Sequence, residues 1–208
     1  MLWPGGTDYR ADLMNLVTYA FPAIGMPTGV IHVGGFDGNE EQWYRQWNAK
    51  SVWFEPLPAK CREMQAKGLD ARQFAIGSSA GTARLHLSKS LQCCSLLEPS
   101  GHLEQYPEFP FSGDIDVEVR TLDSFALTGF DMLVIDAQGY ELEVLKGAEQ
   151  TLRHMKIIYC EVAIIDLYRG GALFHEIHAH LSREWQFVGM DFVDGIAKGW
   201  GDALFVRK

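Results

Sequence analysis

The residues best suited to chemistry are a glycine-rich turn and carboxylates at the ends of apolar runs. Residues 30–38 read VIHVGGFDG, an apolar run that ends in Gly34, Gly35 and Gly38. Glycine adopts backbone angles other residues avoid and lets a ligand come close. A helix behind such a turn adds free N–H groups and a positive dipole end. The spacing is G-G-x-x-G, not the G-x-G-x-x-G of dinucleotide binders, so a plain strand-to-helix turn fits it too. Glu55 stands in WFEP (residues 53–56), 17 positions after Gly38. A carboxylate at the tip of a second strand can accept both hydroxyls of a ribose; a surface Glu before a proline is the plainer reading. Together the turn and the acid describe an adenosine pocket. They do not choose between NAD and S-adenosylmethionine.

The elements that must position these residues read as alternating strands and helices. Val30–Val33, Ser51–Phe54, Gln73–Ile76, Asp131–Asp136 and the run KIIYCEVAII are apolar strand patterns. Helical patterns cover residues 9–21 (Leu13, Leu16, Val17 and Ala20 on one side), Asn39–Trp47 with Asn39 as N-cap, Pro58–Lys67, the stretch marked by Leu142, Leu145 and Ala148, and Leu173–Glu184. TARLHL reads as a surface strand and DVEVRTL as an alternating one. QFVGMDFV and DALFVRK close the chain as two β segments with no helix between them. This order predicts an α/β fold: a mainly parallel twisted sheet with right-handed crossovers and an antiparallel C-terminal strand. Ligands in such sheets bind at the carboxyl ends of the strands, near the switch in strand order. We expect one domain over 1–208, with an N-terminal helical segment (1–28) and an irregular stretch (88–113, holding Pro99, Pro107 and Pro110) long enough to act as a lid.

Composition narrows the function classes. Asp and Glu outnumber Lys and Arg by 27 to 18, a formal charge of −9, which argues against sequence-independent nucleic-acid binding. The first residues lack a signal-peptide pattern, and no apolar run approaches the roughly 18–20 residues that span a bilayer. We therefore expect a cytoplasmic protein with no membrane partner and reduced thiols. Cys61, Cys93, Cys94 and Cys160 have no zinc spacing. HEIHAH (His175, His178, His180) has no completing ligand and reads as a polar helix face.

The segment DMLVIDAQGYELEVLKGAEQTL (Asp131–Leu152) closely resembles the FkbM family of S-adenosylmethionine-dependent methyltransferases. Asp136, Gly139, Glu141 and Lys146–Ala148 match the family pattern. FEP, FAIG (Phe74–Gly77), VEVRTLDSF and IIYCEV, with Glu161 at its acidic position, fit the flanking strands, and the likeness runs from about Val30 to Lys208. The wider family usually has Asp at the position of His32 and Ala-Asn at Gly35-Phe36. HVGGFDGNEEQWY, Asp166-Leu167-Tyr168 and the run Trp200–Phe205 look like a branch that departs in the same way.

The resemblance implies a Rossmann-like class I methyltransferase fold and methyl transfer from S-adenosylmethionine, most simply to a hydroxyl of a sugar, glycan or small natural product. The cofactor contacts it implies are Val33, Gly34, Gly35, Phe36, Gly38, Glu55, Pro56, Ala75, Ile76 and Asp136. The catalytic candidates are Asp136, Glu161, Glu141 and His32. Asp136 would lie at the mouth where the methyl sits, or simply cap a helix. Glu161 could join it in a carboxylate pair of the kind Mg²⁺ or Ca²⁺ prefers, although no residue is assigned to a metal. Glu141 would orient the loop or touch substrate. His32 would replace the missing Asp, or serve as a core histidine. His102, in the irregular stretch, could act as a base on a lid, and Tyr168 and Trp200 could stack on substrate. Glu40 and Glu41 suit the start of a helix dipole. Two rivals remain: an NAD-linked oxidoreductase, and an inactive binding module that keeps the fold.

Overall fold

The computed structural model describes residues 17–18, 20–193 and 195–208. Its strands in chain order are β1 (Gly29–Val33), β2 (Lys50–Phe54), β3 (Ala71–Arg72), β4 (Ala75–Ile76), β5 (Gly81–Ser88), β6 (Phe111–Arg120), β7 (Met132–Ile135), β8 (Ile157–Ala163), β9 (Trp185–Phe192) and β10 (Trp200–Arg207). Its helices are α1 (Glu41–Gln46), α2 (Pro58–Ala66), α3 (Gly101–Gln105), α4 (Glu141–Lys146), α5 (Glu149–Leu152) and α6 (Phe174–Leu181), numbered among the elements described here.

Seven strands form one sheet in the order β3-β2-β1-β7-β8-β10-β9. The first five are parallel; β10 inserts antiparallel between β8 and β9. Strand order reverses at β1, so the crevice between the ends of β1 and β7 is where a ligand is expected in such a sheet. Every residue of β1 and β7 is buried, as expected where both faces of a parallel sheet are covered. Alternation splits β1 between two cores. Ile31 and Val33 join Leu133, Ile135, Leu145 and Ile158, whereas Val30 joins Tyr44, Trp53, Val134 and Tyr159.

Several expectations need correction. The third strand does not run from Gln73 to Ile76. Ala71–Arg72 pairs with β2, and the chain then turns, with Phe74 N–H donating to the Arg72 carbonyl. Ala75–Ile76 joins a second sheet of order β4-β6-β5. Asn39 does not cap α1: Glu40 stands at the cap, and Asn39 bonds back to Asp37. The stretch 88–113 is less irregular than expected and contains a 3-10 turn at Leu91–Cys93 and α3. Of the N-terminal helical pattern, Leu13 and Leu16 lie outside the described residues, while Val17 and Ala20 are buried and residues 20–24 are helical.

The start of β1 is fixed from a distance. Asp131 Oδ1 accepts the N–H groups of Thr28 (2.7 Å) and Gly29 (3.2 Å), and Oδ2 meets Lys156 Nζ at 3.1 Å. Burial alone would raise this carboxyl; the two N–H groups and the ammonium outweigh it and hold the carboxyl below its usual range. A depressed carboxyl stabilises the fold above its unfolded value, about 3.9, and that contribution is lost as pH falls through the folded value. Asp131→Ala should therefore cost about 2–3 kcal/mol in urea unfolding at pH 7, and the gap to the parent chain should narrow below about pH 4.

Candidate functional site

A cavity of about 260 Å³ opens at the carboxyl ends of β1, β2, β7 and β8. One water needs only about 10–15 Å³, so there is room for an organic ligand. The turn after β1 forms one wall. Gly34 and Gly35 N–H both donate to the Phe54 carbonyl (2.9 and 3.3 Å). Gly34 has φ +86° and lies so close to the Asp136 carbonyl that a Cβ would collide with it. Gly38, at φ +68°, holds a backbone conformation that L side chains rarely adopt, with the end of the Leu69 side chain beside it. Gly34 is required by backbone packing and Gly38 by its backbone angle, reasons different from ligand approach.

Glu55 braces the turn. It is 4% exposed; Oε2 accepts Phe36 N–H at 2.7 Å and Oε1 accepts Leu57 N–H at 2.8 Å. Burial pushes its carboxyl up to about 7, with Asp136 adding to the rise and the two N–H groups and Lys60 opposing it. Each oxygen keeps a lone pair for a further donor. Glu55 is therefore no surface Glu before a proline.

Asp136 and Glu161 meet at the ends of β7 and β8 and are hydrogen-bonded to each other. Burial, then the Asp136 and Glu141 charges, drive the Glu161 carboxyl well above its ordinary value, and burial raises Asp136 as well. Gln138 bridges the pair, its Nε2 donating to Asp136 Oδ1 (2.6 Å) and Glu161 Oε2 (3.0 Å). Its Oε1 accepts the Tyr168 hydroxyl at 2.7 Å. Glu141 lies beneath this loop, and its Oε1 accepts the N–H groups of Ala137 (2.9 Å) and Gly139 (3.0 Å).

Most of the expected residues come together. Val33, Gly34, Gly35, Phe36, Glu55 and Pro56 line the cavity, as do Ala75, Ile76, Asp136 and Glu161. Gly38 and Glu141 do not. His32 borders it, but its ring is committed elsewhere: Nδ1 is hydrogen-bonded to the Tyr44 hydroxyl at 2.9 Å, and the ring stacks on Trp53 at 4.4 Å. Burial lowers it to about 3, so it stays neutral. These contacts make His32 a brace under the turn. Tyr168 and Trp200 also line the cavity, with Trp200 Nε1 donating to the Tyr106 hydroxyl at 2.8 Å. Among the described residues no group of three His, Cys, Asp or Glu side chains is arranged to hold a metal ion.

Residues 25–188 match the model of the methyltransferase FkbM domain. The chain belongs to the FkbM methyltransferase family. The matched range holds the glycine turn, Glu55, Asp136 and Glu161; β10, with the WGDALF run, lies beyond it. Two curated relatives are similar. The 2-O-methyltransferase NoeI of Sinorhizobium fredii is 30% identical over 159 residues, covering 68% of this chain and 65% of that protein. The methyltransferase sdnD of Sordaria araneosa is 28% identical over 178 residues, covering 69% and 66%. The chain thus spans just under two thirds of either relative's length. Among solved structures, methyltransferase FkbM from Methylobacillus flagellatus aligns with a TM-score of 0.57 at 12% identity, covering 97% of this chain and 55% of that one. Magnesium protoporphyrin IX methyltransferase from Synechocystis, solved with bound SAM, aligns at 0.54 and 12%, covering 96% and 80%. The fold of this FkbM chain is the class I methyltransferase fold.

Gln138 escaped the sequence reading. It stands inside the FkbM segment between Asp136 and Gly139, and its backbone has φ +51°, a conformation L residues seldom adopt. A polar residue two positions after the strand-end acid was the available signal; its reach to Glu161 was not.

Glu141 yields a stability prediction with a definite sign. Burial foremost raises its carboxyl to about 7; Asp136 adds to the rise, and the bound N–H groups oppose it. A carboxyl raised above its unfolded value, about 4.3, favours the fold below that value, and this contribution is lost as pH rises through about 7. Glu141→Gln keeps an oxygen for both N–H groups and removes that loss, so it should gain on the parent chain between pH 5 and 8. Glu141→Ala strands two buried donors and should cost about 2–4 kcal/mol. Urea titrations at both pH values check the pair.

Proposed function

We propose that this FkbM-family chain is an S-adenosylmethionine-dependent methyltransferase acting on a hydroxyl of a sugar, glycan or small natural product. The observation that carries the reading is one cavity bordered by a buried strand-end carboxylate, Glu55, and by the Asp136–Glu161 carboxyl pair. The donor set fits the cofactor. Glu55 has lone pairs left for two ribose hydroxyls, and Phe54, Phe74, Ala75 and Ile76 offer an apolar slot beside it for a base. When bound, S-adenosylmethionine supplies a methyl group on a positively charged sulfur, open to in-line displacement by an oxygen.

The chain's own residues then have separable tasks. Glu55 and the Gly34–Phe36 backbone fix the adenosine end. Asp136 and Glu161 hold one proton between them and so present one negative charge, suited to a cationic neighbour. Gln138 and Tyr168 keep the pair aligned. Leu167, Tyr106 and Trp200 give the opposite wall an apolar and aromatic surface, against which a sugar ring or a small aromatic can lie. Holding two reactants in line can lower a barrier by up to about 7–11 kcal/mol. The hydroxyl acceptor is supported by the name of one relative, a 2-O-methyltransferase. Mg²⁺ or Ca²⁺ would have to displace the shared proton before the pair could ligate it.

We read the chain as one domain over residues 1–208 and as cytoplasmic. Four free cysteines fit that location, and among the described residues no helix is long and apolar enough to cross a membrane.

Calorimetry with S-adenosylhomocysteine and with NAD tests the donor. We expect micromolar-range binding of the first and none of the second; tight NAD binding without S-adenosylhomocysteine binding overturns the reading. Glu55→Ala should weaken S-adenosylhomocysteine about 10–100-fold, the loss of one or two charge-assisted hydrogen bonds. A panel of methyl glycosides and catechols with methyl-labelled donor tests the acceptor, with label expected on oxygen; label recovered only on nitrogen from added amines contradicts it.

A further inference from the structure

The two ends of the cavity differ in how their polar groups are used. At the donor end, the carboxyl pair accepts Gln138, while Glu55 accepts backbone N–H groups. At the other end stands His102, on α3. The residue is 3% exposed, its ring packed among Tyr106, Phe111 and Tyr168 at centroid distances of 5.3, 5.4 and 5.6 Å. Both ring nitrogens are buried, and among the described residues neither Nδ1 nor Nε2 has a hydrogen-bond partner. Leaving such a buried group unpaired costs about 1–3 kcal/mol. Ser100 Oγ and Gln105 Oε1 are likewise unpartnered, but of the three only His102 lines the cavity. His32 is the contrast, a histidine whose Nδ1 is hydrogen-bonded to the Tyr44 hydroxyl.

The position of His102 is built, not loose. Ser100 and His102 N–H both donate to the Leu167 carbonyl at 3.0 Å, and Arg169 N–H donates to the Glu98 carbonyl at 2.8 Å. Gly101 is pressed against the Asp166 carbonyl so closely that no Cβ fits. The segment that seats α3 therefore follows directly from β8, the strand that carries Glu161. Tyr168 joins the two ends, packing on His102 while its hydroxyl donates to Gln138.

We propose that His102 is the catalytic base of the acceptor end: resting on the methyl-transfer reading above, its imidazole takes the proton of the acceptor hydroxyl. The acceptor O–H bond breaks, with the proton going to a ring nitrogen. The oxygen's electron pair forms the new bond to the methyl carbon. The methyl–sulfur bond breaks with its pair going to sulfur, leaving the neutral thioether, and the imidazolium releases its proton to water as product departs. Burial holds this ring below its ordinary 6.5, with the Glu108 carboxylate opposing, so the imidazole is neutral and able to accept at pH 7. The other charged or titratable groups on the elements around it are Glu104 on α3, Tyr106, Lys198 over the Tyr106 ring (4.7 Å), and Asp166, Tyr168 and Arg169 in the segment after β8.

His102→Phe and His102→Gln in the full chain test this. Both variants should bind S-adenosylhomocysteine within about twofold of the parent, yet transfer methyl to the best acceptor of the glycoside and catechol panel at least about 100-fold more slowly, the range a general base supplies. The parent rate should fall on the acid side with an inflection below 6.5, absent in the variants, and ring-nitrogen NMR without any ligand should find His102 neutral at pH 7. Either variant retaining transfer within about fivefold, or a charged His102 at pH 7, overturns the proposal while leaving the donor reading intact. Failure of the parent chain to bind S-adenosylhomocysteine overturns the donor reading, and this inference with it.

Discussion

The site depends on one steric constraint: the turn after β1 must fit between the ends of β2 and β7. Gly34 gives its N–H to the Phe54 carbonyl while its Cα rests against the Asp136 carbonyl. Only a glycine at positive φ can occupy that gap. Because the turn is drawn in so far, Glu55 reaches back to Phe36 N–H and Asp136 faces the same cavity. Two carboxyls 81 positions apart in sequence thus border one space. The strand-order reversal at β1 supplies the crevice; Gly34 brings its walls together.

The second feature is how many carboxyls are buried there and how differently each is used. Glu55 and Glu141 accept backbone N–H groups and act as struts. Asp136 and Glu161 meet each other and are both raised by burial, and Asp202 stands opposite Glu161 in the β8–β10 register. Burying several acids raises their carboxyls, so the folded chain binds more protons than the unfolded one near neutral pH and loses stability as pH rises.

Much of this was legible in the sequence, for physical reasons. β1 and β7 are buried throughout and β2 and β8 over most of their length, so their apolar patterns are strong, and the acids near their ends stand out. The FkbM segment named the family from one contiguous stretch. What was not legible depended on contacts between distant parts of the chain. The split of the third strand at Gln73–Phe74 is decided by β6, more than 40 positions later, which recruits Ala75–Ile76 to a second sheet. The seating of α3 is decided by Leu167, and nothing in residues 88–113 announces it. His32 illustrates the limit from the other side: the sequence left it between a stand-in for the missing Asp and a core histidine, and only the structure reveals Tyr44 and Trp53 holding its ring.

On the proposed reading, Glu55 and the Asp136–Glu161 pair bracket one molecule of S-adenosylmethionine. A crystal structure of the chain with S-adenosylhomocysteine is the decisive measurement. It should show both ribose hydroxyls on the Glu55 carboxylate, the base beside Phe74–Ile76, and the sulfur next to Asp136 with His102 across the remaining space. Adenosine bound away from Glu55, or a sulfur remote from the carboxyl pair, would contradict it.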